Sequence, residues 1–171
     1  MQLSLGAWEI RDLTPRDAPA LVKYANNRLI SIHLRDVFPY PYTEASAADF
    51  LARACATEPR DAFAIATPAE LIGTIGLRRY DDVYRRTAEI GYWLAQPFWG
   101  QGIATRAVVA LTDWAFASYD LARICAGVFE TNPASARVLE KAGYAFEGRF
   151  RQNITKEGRS FDELVYARLR P

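Results

Sequence analysis

The chain has 171 residues, of which 50% are hydrophobic and 24% are charged, and its formal net charge is +1. These values are typical of a globular domain with a sizeable core and argue against disorder. The near-neutral charge predicts neither a nucleic-acid binder nor a polyanion. One histidine and two cysteines are too few for a structural zinc site or a disulfide framework, so we expect no metal.

The N-terminal residues show no basic segment followed by an apolar one, and no apolar run approaches the ~20 residues that span a bilayer. We therefore predict a cytoplasmic protein that has neither a membrane nor a nucleic acid as a partner. Internal repeats, low-complexity tracts and linkers are absent from the sequence. The prediction is a single domain over residues 1–171.

The N-terminal part of the chain predicts one strand and two helices. Alternating apolar and polar side chains at 8–13 indicate the strand, and Thr14-Pro15 supplies an N-cap and a first-turn proline to the helix behind it. The segment 28–42 is aromatic and irregular, because each of its prolines disfavours the α region at the preceding residue. Thr43 then caps the second helix.

A hairpin follows, with strands at 62–67 and 71–77. Gly73 and Gly76 lie inside the second strand, where glycine indicates a bulge or a close backbone contact. Residues 78–86 are polar and are predicted to connect this strand to the next one.

The C-terminal half predicts strands separated by helices. Its predicted elements are a strand at 87–94, a helix at 102–119, a strand at 123–129, a helix that Asn132 caps and Gly143 ends, and an antiparallel pair at 144–151 and 163–169. The strands at 87–94 and 123–129 are predicted to be parallel because a helix separates them. The fold class is therefore α/β (α+β), with a mixed sheet.

The turn at 99–104 carries the strongest functional signal. Gly100 and Gly102 lie after a predicted strand and just before a predicted helix. Glycines let the backbone approach a ligand, and the unpaired N–H groups of a first helical turn attract anions. The turn lacks the lysine of a phosphate-binding P-loop, so a pyrophosphate held by backbone amides is the predicted ligand. The alternative is a purely structural turn.

These motifs resemble those of the GCN5-related N-acetyltransferase (GNAT) superfamily. Its acetyl-CoA motif, Q/R-x-x-G-x-G/A, is similar to W-G-Q-G-I-A at 99–104, and its Asn-led helix is similar to 132–141. Within the superfamily, the chain is most similar to the ribosomal-protein alanine N-acetyltransferases of RimJ/RimL type. The residues that carry this likeness are P-Y-P-Y-T at 39–43, E-I-G-Y-W-L at 89–94, F-W-G-Q-G at 98–102, N-P-A-S at 132–135 and D-E-L-V-Y-A at 162–167.

The resemblance implies a single-domain GNAT fold, with a mostly antiparallel central sheet flanked by helices and a splayed strand pair at the acetyl-CoA site. It implies acetyl-CoA as co-substrate and direct transfer of acetyl to a primary amine. The implied cofactor-binding residues are those of the docking strand, the turn and the Asn-led helix: Tyr92, Trp93, Leu94, Trp99, Gly100, Gln101, Gly102, Ile103, Ala104, Thr105 and Asn132.

Two residues depart from the superfamily pattern. Trp99 stands where the motif has a polar anchor, so pyrophosphate binding has to depend on the amides of the turn. Leu139 stands where many members have a tyrosine that protonates the leaving thiolate. For that general acid the resemblance suggests Ser135, with a plain helix residue or a ligand-orienting hydroxyl as the alternatives. Asn132 is expected to hydrogen-bond the pantetheine amides, and its alternative role is an ordinary N-cap.

Acetyl transfer requires a deprotonated amine, a stabilised oxyanion and a protonated leaving thiolate. We propose Glu89 as the general base, acting directly or through a water. The alternative is a sheet-face salt bridge with Arg78 or Arg86. The acceptor is expected to enter over residues 26–42, although the same segment would also serve as a lid.

The acceptor is predicted to be the α-amine of a protein or peptide N-terminus. A small amine such as a polyamine, an amino acid or an aminoglycoside is the alternative within the enzyme class. A catalytically silent acyl-CoA-binding module is the alternative outside it. The chain is expected to act as a monomer or a homodimer.

Overall fold

Eight strands form one mixed sheet in the computed structural model, which describes residues 1–171. The strands are β1 (Gln2–Ser4), β2 (Glu9–Asp12), β3 (Ala62–Ala66), β4 (Leu71–Arg79), β5 (Thr87–Leu94), β6 (Arg123–Phe129), β7 (Ala145–Lys156) and β8 (Arg159–Leu169). Their order in the sheet is β1-β2-β3-β4-β5-β6-β8-β7. The β5–β6 ladder is parallel, whereas β1–β2, β2–β3, β3–β4, β6–β8 and β7–β8 are antiparallel. The predicted α/β class with a mixed, mostly antiparallel sheet is confirmed.

Five helices connect these strands: α1 (Ala18–Ala25), α2 (Arg28–Ser31), α3 (Glu44–Ala56), α4 (Ile103–Ser118) and α5 (Pro133–Lys141). The predicted N-caps of α3 and α5 are both present. The hydroxyl of Thr43 accepts a hydrogen bond from the amide of Ser46 at 3.2 Å. The side-chain oxygen of Asn132 accepts one from the amide of Ser135, also at 3.2 Å. Each cap satisfies an amide that the first helical turn leaves without a partner.

The chain divides into two compact units. The first contains Met1–Gly76 and Tyr92–Ala107, and the second contains Leu77–Gly91 and Val108–Pro171. The boundaries fall inside β4, β5 and α4, so each of these elements contributes residues to both units.

The core of the first unit is formed by α1, α3 and residues from β3, β4 and the end of β5. Leu21 and Leu51 project from the two helices and are buried in one apolar cluster with Ala64, Leu71 and Trp93. Burial of this apolar surface drives the folding of the unit. It also fixes the end of β5, because Trp93 belongs to the cluster.

The second unit has a core of its own, made by apolar residues of β5, β6, α4 and α5. Ile124 and Leu139 are fully buried in it. It also contains one buried polar pair, in which the hydroxyls of Thr112 on α4 and Tyr144 lie 2.7 Å apart. Neither hydroxyl is left without a partner in an environment where an unpaired polar group is costly.

Several boundaries differ from the sequence predictions. β1 was not predicted and pairs Gln2 with Arg11 of β2. The segment 28–42 was predicted to be irregular, but α2 begins it because the side chain of Asn27 accepts a hydrogen bond from the amide of Leu29 at 2.9 Å. β4 also continues to Arg79, so it includes the first two residues of the segment 78–86, which was predicted to be a connection.

Candidate functional site

The end of β5 lies against β4 at an unusually close approach. A Cβ added to Gly73 would lie 2.3 Å from the carbonyl oxygen of Trp93. The predicted close backbone contact at Gly73 is therefore present, and no other residue fits there without a shift of the backbone. One residue beyond β5, the amide of Ala95 donates to the carbonyl of Ile72 at 2.8 Å. These contacts hold residues 92–94, the predicted docking edge for pantetheine, in a fixed position.

A turn and a glycine loop follow β5 and lead into α4. Gly100 and Gly102 both have φ of +75°, a left-handed conformation that glycine adopts without a steric penalty. The amides of Gly100, Gln101 and Gly102 donate to no protein atom. All three residues are exposed at the N-terminus of α4. The loop therefore presents unused N–H donors beside the positive end of a helix, which is the arrangement that binds phosphate groups.

Trp99, which precedes the loop, is held in place by two hydrogen bonds. Its indole N–H donates a hydrogen bond to the carbonyl of Leu94 at 2.7 Å, and its amide donates to the carbonyl of Gln96 at 3.1 Å. The residue is 45% exposed, but the bond to Leu94 shows that the polar atom of its ring is directed at the protein. Trp99 therefore connects the loop to the end of β5, and the anion-binding donors that remain are backbone amides.

The segment 26–42 packs on the same strand and turn. The ring of Phe38 contacts that of Trp93 with centroids 5.7 Å apart. The side-chain amide of Asn27 donates to the side-chain oxygen of Gln96 at 2.8 Å. Burial lowers the pKa of His33, so the neutral imidazole is favoured. The segment is thus an ordered part of the first unit, and its role in admitting the acceptor stays a prediction.

Glu89 lies in the second unit, within a cluster of polar side chains. Its carboxylate accepts a hydrogen bond from the guanidinium of Arg78 and another from the hydroxyl of Tyr80 at 3.1 Å. Burial, and then the charge of Glu89, raises the pKa of Tyr80. Arg86 pairs instead with Asp120 at 3.1 Å. The Arg78 ion pair matches the structural alternative for Glu89, and its role as a base stays a prediction.

The parallel ladder between β5 and β6 ends at Glu89. It pairs Thr87 with Arg123, Ala88 with Ile124 and Glu89 with Cys125. Beyond this point Gly91 of β5 and Gly127 of β6 are not paired with each other, whereas Gly127 still pairs with Val165 of β8. Strands that diverge in this way leave backbone groups available to a ligand, as the resemblance implied. Cys125 itself is half-buried, and burial raises the pKa of its thiol, which disfavours a thiolate nucleophile.

The Asn-led helix contributes three residues of interest. The side-chain oxygen of Asn132 forms the N-cap, whereas its amide nitrogen donates to no protein atom and can still serve a ligand. Ser135 is half-buried on the first turn of α5. Leu139 is fully buried, so its side chain is part of the core rather than of a site. The roles of Asn132 and Ser135 toward pantetheine and the leaving thiolate stay predictions.

One carboxylate of interest was missed at the sequence level. Glu163 of β8 extends over β6, where a Cβ added to Gly127 would lie only 2.0 Å from its Oε1 atom. The available signal was Gly127 itself, because a glycine inside a strand often marks the close approach of another group. No group of three or more histidine, cysteine or acidic side chains is placed to hold a metal ion. The expectation that no metal takes part stays a prediction.

A profile of the acetyltransferase (GNAT) domain matches residues 8–145 of the chain. The chain belongs to this family. The resemblance inferred from the motifs at 99–104 and 132–141 is thereby confirmed. No helix has both the length and the apolar character needed to cross a membrane.

Relatives in the GNAT family include enzymes that act on ribosomal proteins. The chain is 36% identical to the ribosomal-protein-serine acetyltransferase of Escherichia coli over 107 residues, which cover 63% of this chain and 59% of that protein. It is 39% identical to the uncharacterised N-acetyltransferase YoaA of Bacillus subtilis over 102 residues, 60% of this chain and 57% of that protein. These matches span less than two thirds of the length of the relatives.

Solved structures of the family share the fold over almost the whole chain. An acetyltransferase of the GNAT family from Bacillus anthracis has a TM-score of 0.86 at 25% identity, covering 99% of this chain and 98% of that chain. RimJ of Mycobacterium smegmatis, in complex with a CoA-disulfide, has a TM-score of 0.83 at 25% identity, covering 95% of this chain and 81% of that chain. The RimJ/RimL-type proteins are therefore among its structural neighbours, as the sequence motifs predicted.

Proposed function

We propose that this protein is an acetyl-CoA-dependent N-acetyltransferase that transfers acetyl directly to the α-amine of a protein or peptide N-terminus. The observation that carries the proposal is the loop at 100–102, whose amides have no acceptor in the protein and whose glycines have φ of +75° at the start of α4. This cradle fits a pyrophosphate, and it occurs in a chain of the GNAT family.

The chain would hold the co-substrate through three groups of residues. The amides of the loop and of Ile103, Ala104 and Thr105 face the pyrophosphate, since the first helical amides lack intrahelical partners. Residues 92–94 dock the pantetheine along the edge of β5. The amide nitrogen of Asn132 donates to a pantetheine carbonyl. Acetyl-CoA supplies the acetyl group as a thioester, which an amine can attack without an acyl-enzyme.

The remaining tasks belong to side chains and backbone amides of the site. An amide near the end of β5 hydrogen-bonds the thioester carbonyl oxygen and stabilises the negative charge that develops there. The hydroxyl of Ser135 gives its proton to the sulfur that leaves. A nucleophilic cysteine is not required, in keeping with the raised pKa of Cys125. We further propose that the reaction uses no metal ion and takes place in the cytoplasm.

The choice of a protein as the acceptor is supported by the relatives. The Escherichia coli relative is named for serine in a ribosomal protein, and RimJ shares the fold. A silent acyl-CoA-binding module is the second candidate, because Leu139 is buried where a tyrosine acid is usual and Glu89 is paired with Arg78.

Thiol release from acetyl-CoA tests the proposal directly. The protein is incubated with peptides that begin with alanine or serine, with the same peptides N-acetylated as controls, and with a polyamine, an amino acid and an aminoglycoside. We expect release with the free peptides and none with the blocked ones. Release with only the small amines would reassign the acceptor, and calorimetric CoA binding without any release would favour the silent module. No CoA binding would overturn the proposal.

A further inference from the structure

We propose that Glu163 is the catalytic carboxylate that binds the ammonium group of the acceptor and takes its proton. The inference rests on the proposed acetyl transfer and assigns within it the role of general base. Glu163 lies on β8 and is half-buried, so its carboxylate can be reached by a ligand.

The carboxylate of Glu163 occupies space that a side chain on β6 would fill. A Cβ at Gly127 would lie 2.0 Å from Oε1 and 2.9 Å from Cδ of Glu163. No other residue could occupy position 127 unless that carboxylate moved. Gly127 is exposed and lies beyond the last β5–β6 pair, in the part of β6 that diverges from β5. The carboxylate therefore lies over the opened end of the strand.

Glu163 also lies on the same face of the sheet as Glu89. The β6–β8 register pairs Glu163 with Phe129, and the β5–β6 register pairs Glu89 with Cys125. Phe129, Gly127 and Cys125 alternate along β6 and so share one face. Cross-strand partners project to the same side, which places both carboxylates on that face of the second unit, on either side of the opened ladder.

The two carboxylates differ in charge balance. Glu89 is paired with Arg78, whereas Glu163 accepts a hydrogen bond from the neutral side-chain amide of Asn153 at 2.5 Å and forms no ion pair. The adjacent Asp162 is paired with Arg149 at 3.1 Å. Glu163 therefore keeps a negative charge that a cationic ligand can neutralise, and the amide of Asn153 fixes its orientation. Of Glu89 and Glu163, Glu163 is therefore the better partner for an ammonium group.

In the proposed step the acceptor nitrogen gives up two protons and forms one bond to the acetyl carbon. The carboxylate of Glu163 first accepts an N–H hydrogen bond from the ammonium and then removes one proton, which leaves the nitrogen lone pair available. The lone pair forms the C–N bond to the acetyl carbon as the C–S bond breaks, and the sulfur takes a proton from Ser135. As the amide forms, its nitrogen loses a second proton to water, and water returns a proton to Ser135. The proton on Glu163 also passes to water.

The first test replaces Glu163 with glutamine, which keeps the size of the side chain and removes its charge. We expect kcat/KM for a peptide amine to fall by about 100-fold or more, the usual contribution of a general base, with CoA affinity and melting temperature unchanged. With hydroxylamine as the acceptor, kcat/KM should fall much less, because this amine is neutral at pH 7 and can attack without first losing a proton. The matched control is Glu147→Gln, since Glu147 is on neighbouring β7 and is already paired with Arg123 at 2.5 Å. It should behave like the wild type.

The second test moves the carboxylate without removing it. In Gly127→Ala the new methyl group would displace Oε1 of Glu163, so kcat/KM should again fall while CoA binding is retained. Gly148→Ala is the control, because nothing lies within 4 Å of a Cβ at that position. An equilibrium measurement complements both variants. Calorimetry should show that the CoA-loaded wild type prefers a free peptide amine to its N-acetylated form, and that Glu163→Gln loses this preference.

The outcomes separate the two proposals. An active wild type with unchanged kinetics and amine preference in Glu163→Gln overturns the role of Glu163 alone. A fall in kcat/KM in Glu89→Gln but not in Glu163→Gln would assign the general base to Glu89. Equal losses with peptide amines and hydroxylamine would make Glu163 a structural residue. A wild type that releases no thiol with any amine overturns both proposals.

Discussion

The indole N–H of Trp99 donates a hydrogen bond of 2.7 Å to the carbonyl oxygen of Leu94, and this bond joins the glycine loop to the last residue of β5. The loop and the docking strand are the two parts proposed to hold one co-substrate. A single side chain thus connects the amides that are proposed to face the pyrophosphate to the strand edge that is proposed to face the pantetheine.

Trp99→Phe tests the importance of this bond. The variant keeps an aromatic ring but leaves the carbonyl of Leu94 without its donor, a loss of about 1 kcal/mol. Without the bond the loop has to be ordered when CoA binds, so we expect the Kd for CoA to rise about fivefold in calorimetry and the melting temperature to fall by about 2–4 °C. Trp114→Phe removes an indole from the second unit and should leave the Kd unchanged. An unchanged Kd in Trp99→Phe would mean that the loop holds its shape without the bond.

Ser135→Ala separates an acid from a binding residue. If the hydroxyl protonates the leaving sulfur, kcat should fall by about 100-fold while the Kd for CoA stays constant. Steady-state kinetics and calorimetry measure the two quantities, with Ser118→Ala, an exposed serine at the end of α4, as the control. A higher Kd with a normal kcat would instead make Ser135 a residue that orients the ligand.

Asp17 makes stability depend on pH. Burial would raise the pKa of its carboxyl, but hydrogen bonds from Arg11 and Thr14 outweigh burial and hold the pKa below its ordinary value of 3.8. The stabilisation is therefore present above that value and is lost as the pH falls through the lower folded-state pKa.

Asp17→Asn should remove this dependence, with a cost at neutral pH of about 1–3 kcal/mol in unfolding free energy. Urea unfolding between about pH 6 and pH 2 should show that the unfolding free energy decreases less steeply with falling pH in this variant than in the wild type. Asp120→Asn is the control, since the carboxylate of Asp120 is 76% exposed in its ion pair. If the unfolding free energy of Asp17→Asn decreased with falling pH as steeply as that of the wild type, the acid sensitivity would belong to other groups.

The buried Thr112–Tyr144 pair predicts a non-additive result. Tyr144→Phe leaves the hydroxyl of Thr112 in the core without that partner, and the unfolding free energy should fall by about 1–3 kcal/mol. Adding Thr112→Val removes the second polar group, so the double variant should recover part of the loss. Strictly additive losses in urea unfolding would show that the two hydroxyls are not coupled.

The sequence predicted the elements whose signals are local. β5 and β6 have the predicted bounds, because each is a short apolar run between polar turns. Thr43 and Asn132 cap helices as expected, because an N-cap bond reaches only three residues along the chain. The glycine loop was likewise readable from its position between a strand and a helix.

Features that depend on strand register were not readable in the same way. The extension of β4 to Arg79, which carries the Arg78–Glu89 ion pair, depends on how β4 and β5 align. The position of Glu163 over Gly127 depends on the register of β6 and β8, which are separated by a helix and a strand. Neither alignment is encoded in a local pattern, because each is set by packing between distant segments.

The contact of Phe38 with Trp93 limits how acceptor preference can change during evolution. Phe38 belongs to the segment proposed to meet the acceptor, yet its ring packs on the strand proposed to dock the co-substrate. Substituting Phe38 is therefore expected to alter both proposed functions at once. Exposed positions on the same segment, such as Leu29, Val37 and Tyr40, can vary at no such cost. A lineage that acquires a new acceptor is therefore expected to change these three positions and to retain Phe38.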